Sequence, residues 1–281
     1  MLEQKEVITS RQNPTVKRIC SLLDKKSRRA EELFRFDGIK LFCEALDKGL
    51  EVRYVLLSSD APSSAWGLVE KAVDNKRIAL DRVTVVSGEL FSKVSEEKSP
   101  EGIVTVASFM PKKHRMLPAS EATEYSPDPA ERLLIAESLR DPGNLGTVIR
   151  SCRALGIDRL VISDDCADIY SPKVIRAAMG GLFALCIDVI PAASLPDAVR
   201  SLRRGGRAVY ATALRKDARE IGALELKRGD CFVIGNEGHG LSQTLIDACD
   251  ACAIIPMTEG SESLNAAAAA AICIWETVRQ A

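Results

Sequence analysis

The chain has 281 residues, 46% hydrophobic and 27% charged, the balance of a globular protein with room for one large or two medium domains. A formal charge of -1 excludes a uniformly basic nucleic-acid binder, and aromatics at 5% exclude recognition by rows of stacked rings. No apolar run approaches the roughly 20 residues of a membrane span; with no signal peptide and nine cysteines lacking disulfide-framework spacing, a reducing, cytoplasmic setting is expected.

The average charge hides a gradient. Residues 11–40 hold nine Lys/Arg against four acids, a local excess of five positive charges. Arg11, Lys17, Arg18, Lys25, Lys26, Arg28 and Arg29 are therefore candidate phosphate contacts, against the plainer reading of a solvated helix face. Helical patterns near 13–24, 38–49 and 64–75 and strand-like runs at 53–59, 83–87 and 102–108 predict a small α/β domain over 1–110. Residues 111–130 carry four prolines and little apolar periodicity, and read as an interdomain linker.

From 131 to 281 strands and helices alternate. Strands are expected at 132–138, 159–165, 183–190, 207–213, 230–237 and 252–257. Helices are expected from Asn144, from Ser171 with Pro172 at the first position, and near 195–204, 241–249 and 263–278. That alternation predicts a parallel sheet with helices on both faces, and ligands outside the carboxyl ends of its strands. Cys249-x-x-Cys252 lacks a second pair, and His114 and His239 are the only histidines, so no metal site is expected.

Three strand-to-helix loops are chemically unusual. In "RDPGNLGTVIR" the Asp-Pro-Gly turn leads to Asn144 as expected helix N-cap, with Gly146 in the first turn and Arg150 beyond; an isolated surface arginine is the plain alternative. In "VIGNEGHGLS" three glycines surround Asn236 and Glu237, a density that lets backbone amides approach a ligand. No lysine follows and the G-x-G-x-x-G spacing is absent, so neither a P-loop nor a dinucleotide fingerprint is present, and the acid at 237 disfavours a phosphate. In "IPMTEGSESLNAAAAAA" Ser261, Glu262, Ser263 and Asn265 precede a helix of small residues suited to close packing.

The combination N-x-G-x-x-x-R, I-G-N-E-G-x-G-L-S and I-P-M-x-x-G-x-E-S-L-N-A-A-x-A-A resembles the SpoU (TrmH) family of RNA ribose 2′-O-methyltransferases of the SPOUT superfamily. "ITSRQNPTVKRICSLL" and "FRFDGIKLFCEAL" are similar to that family's RNA-binding domain, itself similar to ribosomal protein L30e. The resemblance implies a trefoil-knotted C-terminal α/β domain over 131–281, with the last loop returning the chain through the knot, and a homodimer. It implies S-adenosylmethionine as cofactor, held by Gly235, Asn236, Ile255, Met257 and Leu264. Arg150, supplied by the partner protomer, would act on the ribose hydroxyl, with Asn144, Glu237, Ser263 and Asn265 as the other polar site residues. Ribosomal RNA, 23S above all, is the expected substrate. Transfer RNA, a non-catalytic RNA-binding protein and a nucleotide-dependent enzyme of another class are the alternatives.

Overall fold

A computed structural model describes residues 2–236, 238–258 and 263–280, in two compact units. The first unit runs to residue 110 and includes residues 170–183; the second holds 111–169 and everything from 184 onward.

The first unit opens on two short helices where one was expected. Asn13 caps α1 (Pro14–Ser21) by accepting from the Thr15 and Val16 amides at 2.9 and 3.4 Å. Asp24 then accepts from the Ser27 amide at 3.0 Å and starts α2 (Lys25–Glu31). Strand β1 (Leu33–Asp37) was not anticipated; every residue of it is buried, so it lacks the alternation that marks a half-exposed strand. There follow α3 (Ile39–Asp47), β2 (Val52–Ser58), α4 (Ser63–Asp74), β3 (Val83–Val86), α5 (Gly88–Val94) and β4 (Ile103–Ser108). The sheet order is β1-β4-β2-β3, with β4 antiparallel to both neighbours and β2 parallel to β3. On β2 the period of two divides the core. Leu56 packs with Val16, Ile19 and Phe91 on one face, Val55 and Leu57 with Phe42 and Val69 on the other.

The second unit begins earlier than expected. Residues 111–130 are not a free linker: β5 (His114–Met116) lies parallel to β8 (Cys186–Ile190), and α6 (Ala119–Ala122) contributes Ala122 to the core. Tyr125 is buried, and its hydroxyl donates to Asp188 at 2.7 Å. The prolines mark an extended wrap along a sheet edge, where a missing amide is tolerated. The main sheet adds β6 (Leu133–Ala136), β7 (Arg159–Ser163), β9 (Val209–Thr212), β10 (Arg219–Glu220), β11 (Cys231–Ile234) and β12 (Ala251–Ile254). Its order is β10-β12-β9-β11-β6-β7-β8-β5, and every pairing is parallel.

Helices α7 (Pro142–Leu155), α9 (Leu195–Arg204), α10 (Gln243–Ile246) and α11 (Ala266–Gln280) complete this unit. Between β7 and β8 the chain leaves it. Residues 170–183, with α8 (Pro172–Ala178) capped by Ser171, belong to the first unit. There Tyr170 stacks on Phe109 with centroids 4.0 Å apart, and Phe183 lies 5.2 Å from Phe36. The expected boundary is corrected accordingly. Among the described residues no helix is long and apolar enough to cross a membrane.

The strand order reverses between β6 and β11. From β6 the chain steps through β7 to β8 on one side; β9, β11 and β12 fill the other. The carboxyl ends of β6, β9, β11 and β12 therefore converge, the place where such sheets open a crevice.

Candidate active site

A cavity of about 670 Å³ opens there, within the range of pockets that hold a cofactor-sized ligand. Its walls come from the ends of β9, β11 and β12, the loops after them, and the start of α11. Gly235, Asn236, Ile255, Met257 and Leu264, the five positions expected to hold the cofactor, all line it, and so does Ser263. Glu237, Ser261 and Glu262 lie outside the described residues, as do all of residues 259–262 within the 258–265 loop expected to return the chain through the knot.

The glycine loop 235–242 is closed on itself and anchored at both ends. Asn236 and Gly240 exchange backbone hydrogen bonds at 3.1 and 2.9 Å, with Gly240 at φ +67°. A Cβ on Gly235 would stand 2.5 Å from the Gly240 carbonyl carbon and 2.6 Å from the Leu241 nitrogen, so no side chain fits there. The Asn236 carboxamide accepts from the Gly238 and His239 amides at 2.8 and 3.3 Å and donates to the Ser138 carbonyl at 2.8 Å. At the other end Ser242 donates its amide at 2.7 Å and its hydroxyl at 2.6 Å to the two oxygens of Glu137, a buried carboxylate just past β6.

Ser138 itself sits at φ +56°, a conformation an L-residue holds only when its surroundings impose it. Its amide donates to Ser163 Oγ at 2.7 Å and its hydroxyl to Asp165 at 2.6 Å. Arg140 pairs with the same carboxylate at 3.0 Å. Burial pushes the Asp165 carboxyl up, but hydrogen bonds from Ser138, Ser163 and Arg140 outweigh it and hold the group below the usual range.

The first motif departs from expectation at its cap. Asp141, not Asn144, is the N-cap of α7: its side chain accepts from the Asn144 amide at 2.7 Å, with Pro142 first in the helix. Asn144 is thereby freed for a tertiary role. Its Oδ1 accepts from Asn265 Nδ2 at 2.9 Å, while Asn265 Oδ1 caps α11 through the Ala267 and Ala268 amides at 2.9 and 3.3 Å. Helix α11 packs along α7, and Ala266, Ala267 and Ala270 are buried, which is why this segment is made of small residues.

Arg150 does not line the cavity. It is exposed on α7 on the same stripe as Gly143, Thr147 and Ala154 and makes no ion pair among the described residues. On α11 two large apolar residues are exposed: Ile272 is 38% and Trp275 57% accessible.

Several lining residues were not anticipated: Thr212 at the end of β9, Ala213, Leu214 and Arg215 after it, and His239 and Gln243. The strand at 207–213 was legible, but nothing in its following loop distinguishes it from an ordinary surface turn. Cys249 and Cys252 belong to the hydrophobic core. Burial pushes the Cys249 thiol up to about 12, which suits a packed residue better than a thiolate.

Of the basic residues on the first unit, Arg28 is turned inward. It is 3% exposed, and Nη1 donates to the Leu22 and Leu23 carbonyls at 2.8 and 2.7 Å, closing the end of α1. It is removed from the candidate RNA contacts. Arg18 is engaged by Glu31 and by the Tyr54 hydroxyl, the latter at 2.7 Å, and Arg11 reaches the Lys93 carbonyl at 3.5 Å. Lys17, Lys25, Lys26 and Arg29 stay exposed.

Residues 131–275 match the SpoU rRNA Methylase family, and residues 13–105 match the MRM3-like substrate binding domain. The chain is 32% identical over 275 residues to the 23S rRNA (guanosine(2553)-2′-O)-methyltransferase RlmP of Bacillus subtilis, covering 95% of this chain and 97% of that protein. It is similar to the AdoMet-bound rRNA methyltransferase of Sinorhizobium meliloti at 28% identity, with a TM-score of 0.81 over 98% of this chain and 97% of the other. The SpoU methyltransferase AviRb of Streptomyces viridochromogenes, solved with AdoMet, matches at 26% identity and a TM-score of 0.77, over 95% and 98% of the two chains.

Proposed function

The chain belongs to the SpoU rRNA Methylase family, and we propose that it transfers a methyl group from S-adenosylmethionine to a ribose 2′-hydroxyl of ribosomal RNA, 23S RNA above all. The observation that carries the reading is the cavity at the carboxyl ends of β9, β11 and β12, which the second and third motif loops help to build and which is lined by all five residues expected to hold the cofactor.

The residues present fit that cofactor. Gly235 leaves the backbone bare where a methyl group has no room, and Ile255, Met257 and Leu264 supply apolar wall for an adenosine. When bound, S-adenosylmethionine supplies a sulfonium-activated methyl to an attacking oxygen. The protein's part is to align that oxygen and to manage its proton.

Among the described lining residues none besides His239 is an obvious proton acceptor, and a guanidinium stays protonated. Arg150 therefore serves by stabilising the developing alkoxide and by holding the adjacent phosphate. Since Arg150 is exposed on α7 and absent from the cavity of its own chain, we assign it to the cavity of a second copy in a homodimer. The exposed apolar side chains of Ile272 and Trp275 on α11, the helix packed against α7, support that assembly. Ser263 faces the target ribose, and the Asn144–Asn265 bond keeps the starts of α7 and α11 in register. The first unit docks the RNA through Lys17, Lys25, Lys26 and Arg29, with Arg11 and Arg18 beside them.

The test is transfer of labelled methyl from S-adenosylmethionine to unmodified ribosomal and transfer RNA in parallel, followed by alkaline hydrolysis. A resistant labelled dinucleotide from ribosomal RNA is the expected product. Label confined to transfer RNA overturns the substrate, and the absence of both label and cofactor binding overturns the reaction.

A further inference from the structure

The described lining of the cavity is nearly uncharged. Among its described lining residues Arg215 carries the sole formal charge. The remainder are glycines, apolar residues and the polar groups Thr212, Asn236, His239, Gln243 and Ser263. The proposed cofactor, by contrast, has a sulfonium, an ammonium and a carboxylate. A guanidinium repels the first two and binds the third by a charge-assisted hydrogen bond. A single arginine among otherwise neutral described lining residues therefore gives that lining a polarity.

Arg215 has donors to spare. Its backbone is held, with the amide donating to the Ala213 carbonyl at 3.0 Å and the carbonyl accepting from Ala218 at 3.1 Å. Its side chain is not saturated: Nε stands 3.9 Å from Asp217 Oδ1, beyond hydrogen-bond reach. The other group beside the guanidinium is the Cys252 thiol, a weak acceptor. Asp217 is the carboxylate it already pairs with, at a distance that leaves its donors open to hydrogen-bond a second one.

Resting on the S-adenosylmethionine reading, we infer that Arg215 is the anchor for the carboxylate of the cofactor's amino-acid moiety, so that this end lies against the 212–215 loop and the adenosine lies towards Ile255 and Leu264.

Titration calorimetry of the full-length protein with two ligands tests this. S-Adenosylhomocysteine carries adenosine, thioether and amino acid; 5′-methylthioadenosine carries adenosine and thioether only. Arg215→Gln is expected to weaken S-adenosylhomocysteine about tenfold or more, the size of one lost charge-assisted bond, and to leave 5′-methylthioadenosine unchanged. The unchanged ligand shows that the cavity is intact. Arg215→Lys, which keeps the charge, is expected to recover part of the loss. Equal weakening of both ligands, weakening of neither, or a carboxylate-selective loss in His239→Gln instead of Arg215→Gln overturns the assignment. Binding of neither ligand by the unaltered protein overturns the cofactor reading itself.

Discussion

Asn265 Nδ2 donates to Asn144 Oδ1 at 2.9 Å, joining two residues 121 positions apart at the first turns of α11 and α7. One carboxamide thus caps a helix with its oxygen and ties that helix to another with its nitrogen. The two duties are separable by mutation. Asn265→Asp keeps the cap and loses the donor to Asn144; Asn265→Ala loses both. Thermal unfolding should place Asn265→Ala about 1 kcal/mol below the unaltered protein, with Asn265→Asp nearer to it. Methyl transfer should fall in both. Full activity in Asn265→Asp would show that the link has no part in the reaction.

The placement of Arg150 away from its own cavity predicts complementation between two inactive variants. Arg150→Ala should abolish methyl transfer while S-adenosylhomocysteine still binds. Gly235→Val should lose binding, because the Cβ would meet backbone atoms at 2.5 and 2.6 Å. After the two are mixed, unfolded and refolded together, a dimer holding one of each contains one complete site, and partial activity should return. Continued silence of the mixture, with dimers shown to form, would place Arg150 in its own chain's site or outside the reaction.

Glu137 is expected to be essential to the glycine loop although it carries no part of the cavity wall. Glu137→Ala strands the Ser242 amide and opens a buried gap, destabilising by about 1–3 kcal/mol. Glu137→Gln keeps one acceptor and should recover much of that. Cofactor affinity should follow the same order, since the loop is held at 236 and at 242. Wild-type affinity in Glu137→Ala would separate the loop's shape from this clamp.

Asp188 lies fully buried within β8 and receives Arg115 at 2.7 and 2.6 Å, Tyr125 at 2.7 Å and Arg159 at 3.1 Å. Burial pushes its carboxyl up, but the hydrogen bonds from Arg115 and Tyr125 and the charge of Arg159 outweigh this and hold it below the usual range. A depressed folded value means a contribution that is complete above the unfolded value of about 3.9 and lost as pH falls through the folded one. Asp188→Asn should therefore be less stable than the unaltered protein at neutral pH and flatter in its acid limb below pH of about 4. Asp188→Ala should lose about 3–5 kcal/mol, as expected when a buried partner is removed. Parallel acid limbs would assign the acid sensitivity to other carboxylates.

On the first unit, reversing Lys25, Lys26 and Arg29 to Glu should weaken RNA binding and reduce the slope of log affinity against log salt. Arg28→Glu, by contrast, should first be seen in thermal unfolding, because that side chain holds the Leu22 and Leu23 carbonyls. An unchanged salt slope in the triple variant would move the RNA surface elsewhere.

What the sequence determined by itself is local. Buried strand runs such as 132–138 and 230–237, the helix at 195–204, the Pro172 start and the glycine loop are each written in a few consecutive residues, so the parallel α/β class was legible, and the family resemblance carried the five cofactor positions onto residues that line the cavity. Strand β1 was not, because burial on both faces erases the alternation a reader relies on. Tertiary structure decided which of two capping residues starts α7, that Arg28 points inward, that residues 111–130 edge the second unit, and that residues 170–183 join the first. It also decided that Glu137 meets Ser242, 105 positions away, and that the loop after β9 brings Arg215 to the cavity. The physical reason is common to all of these. A cap, a buried charge or a wall residue is chosen by the donor, acceptor or space that another segment brings to it, and that segment is adjacent only after the chain has folded.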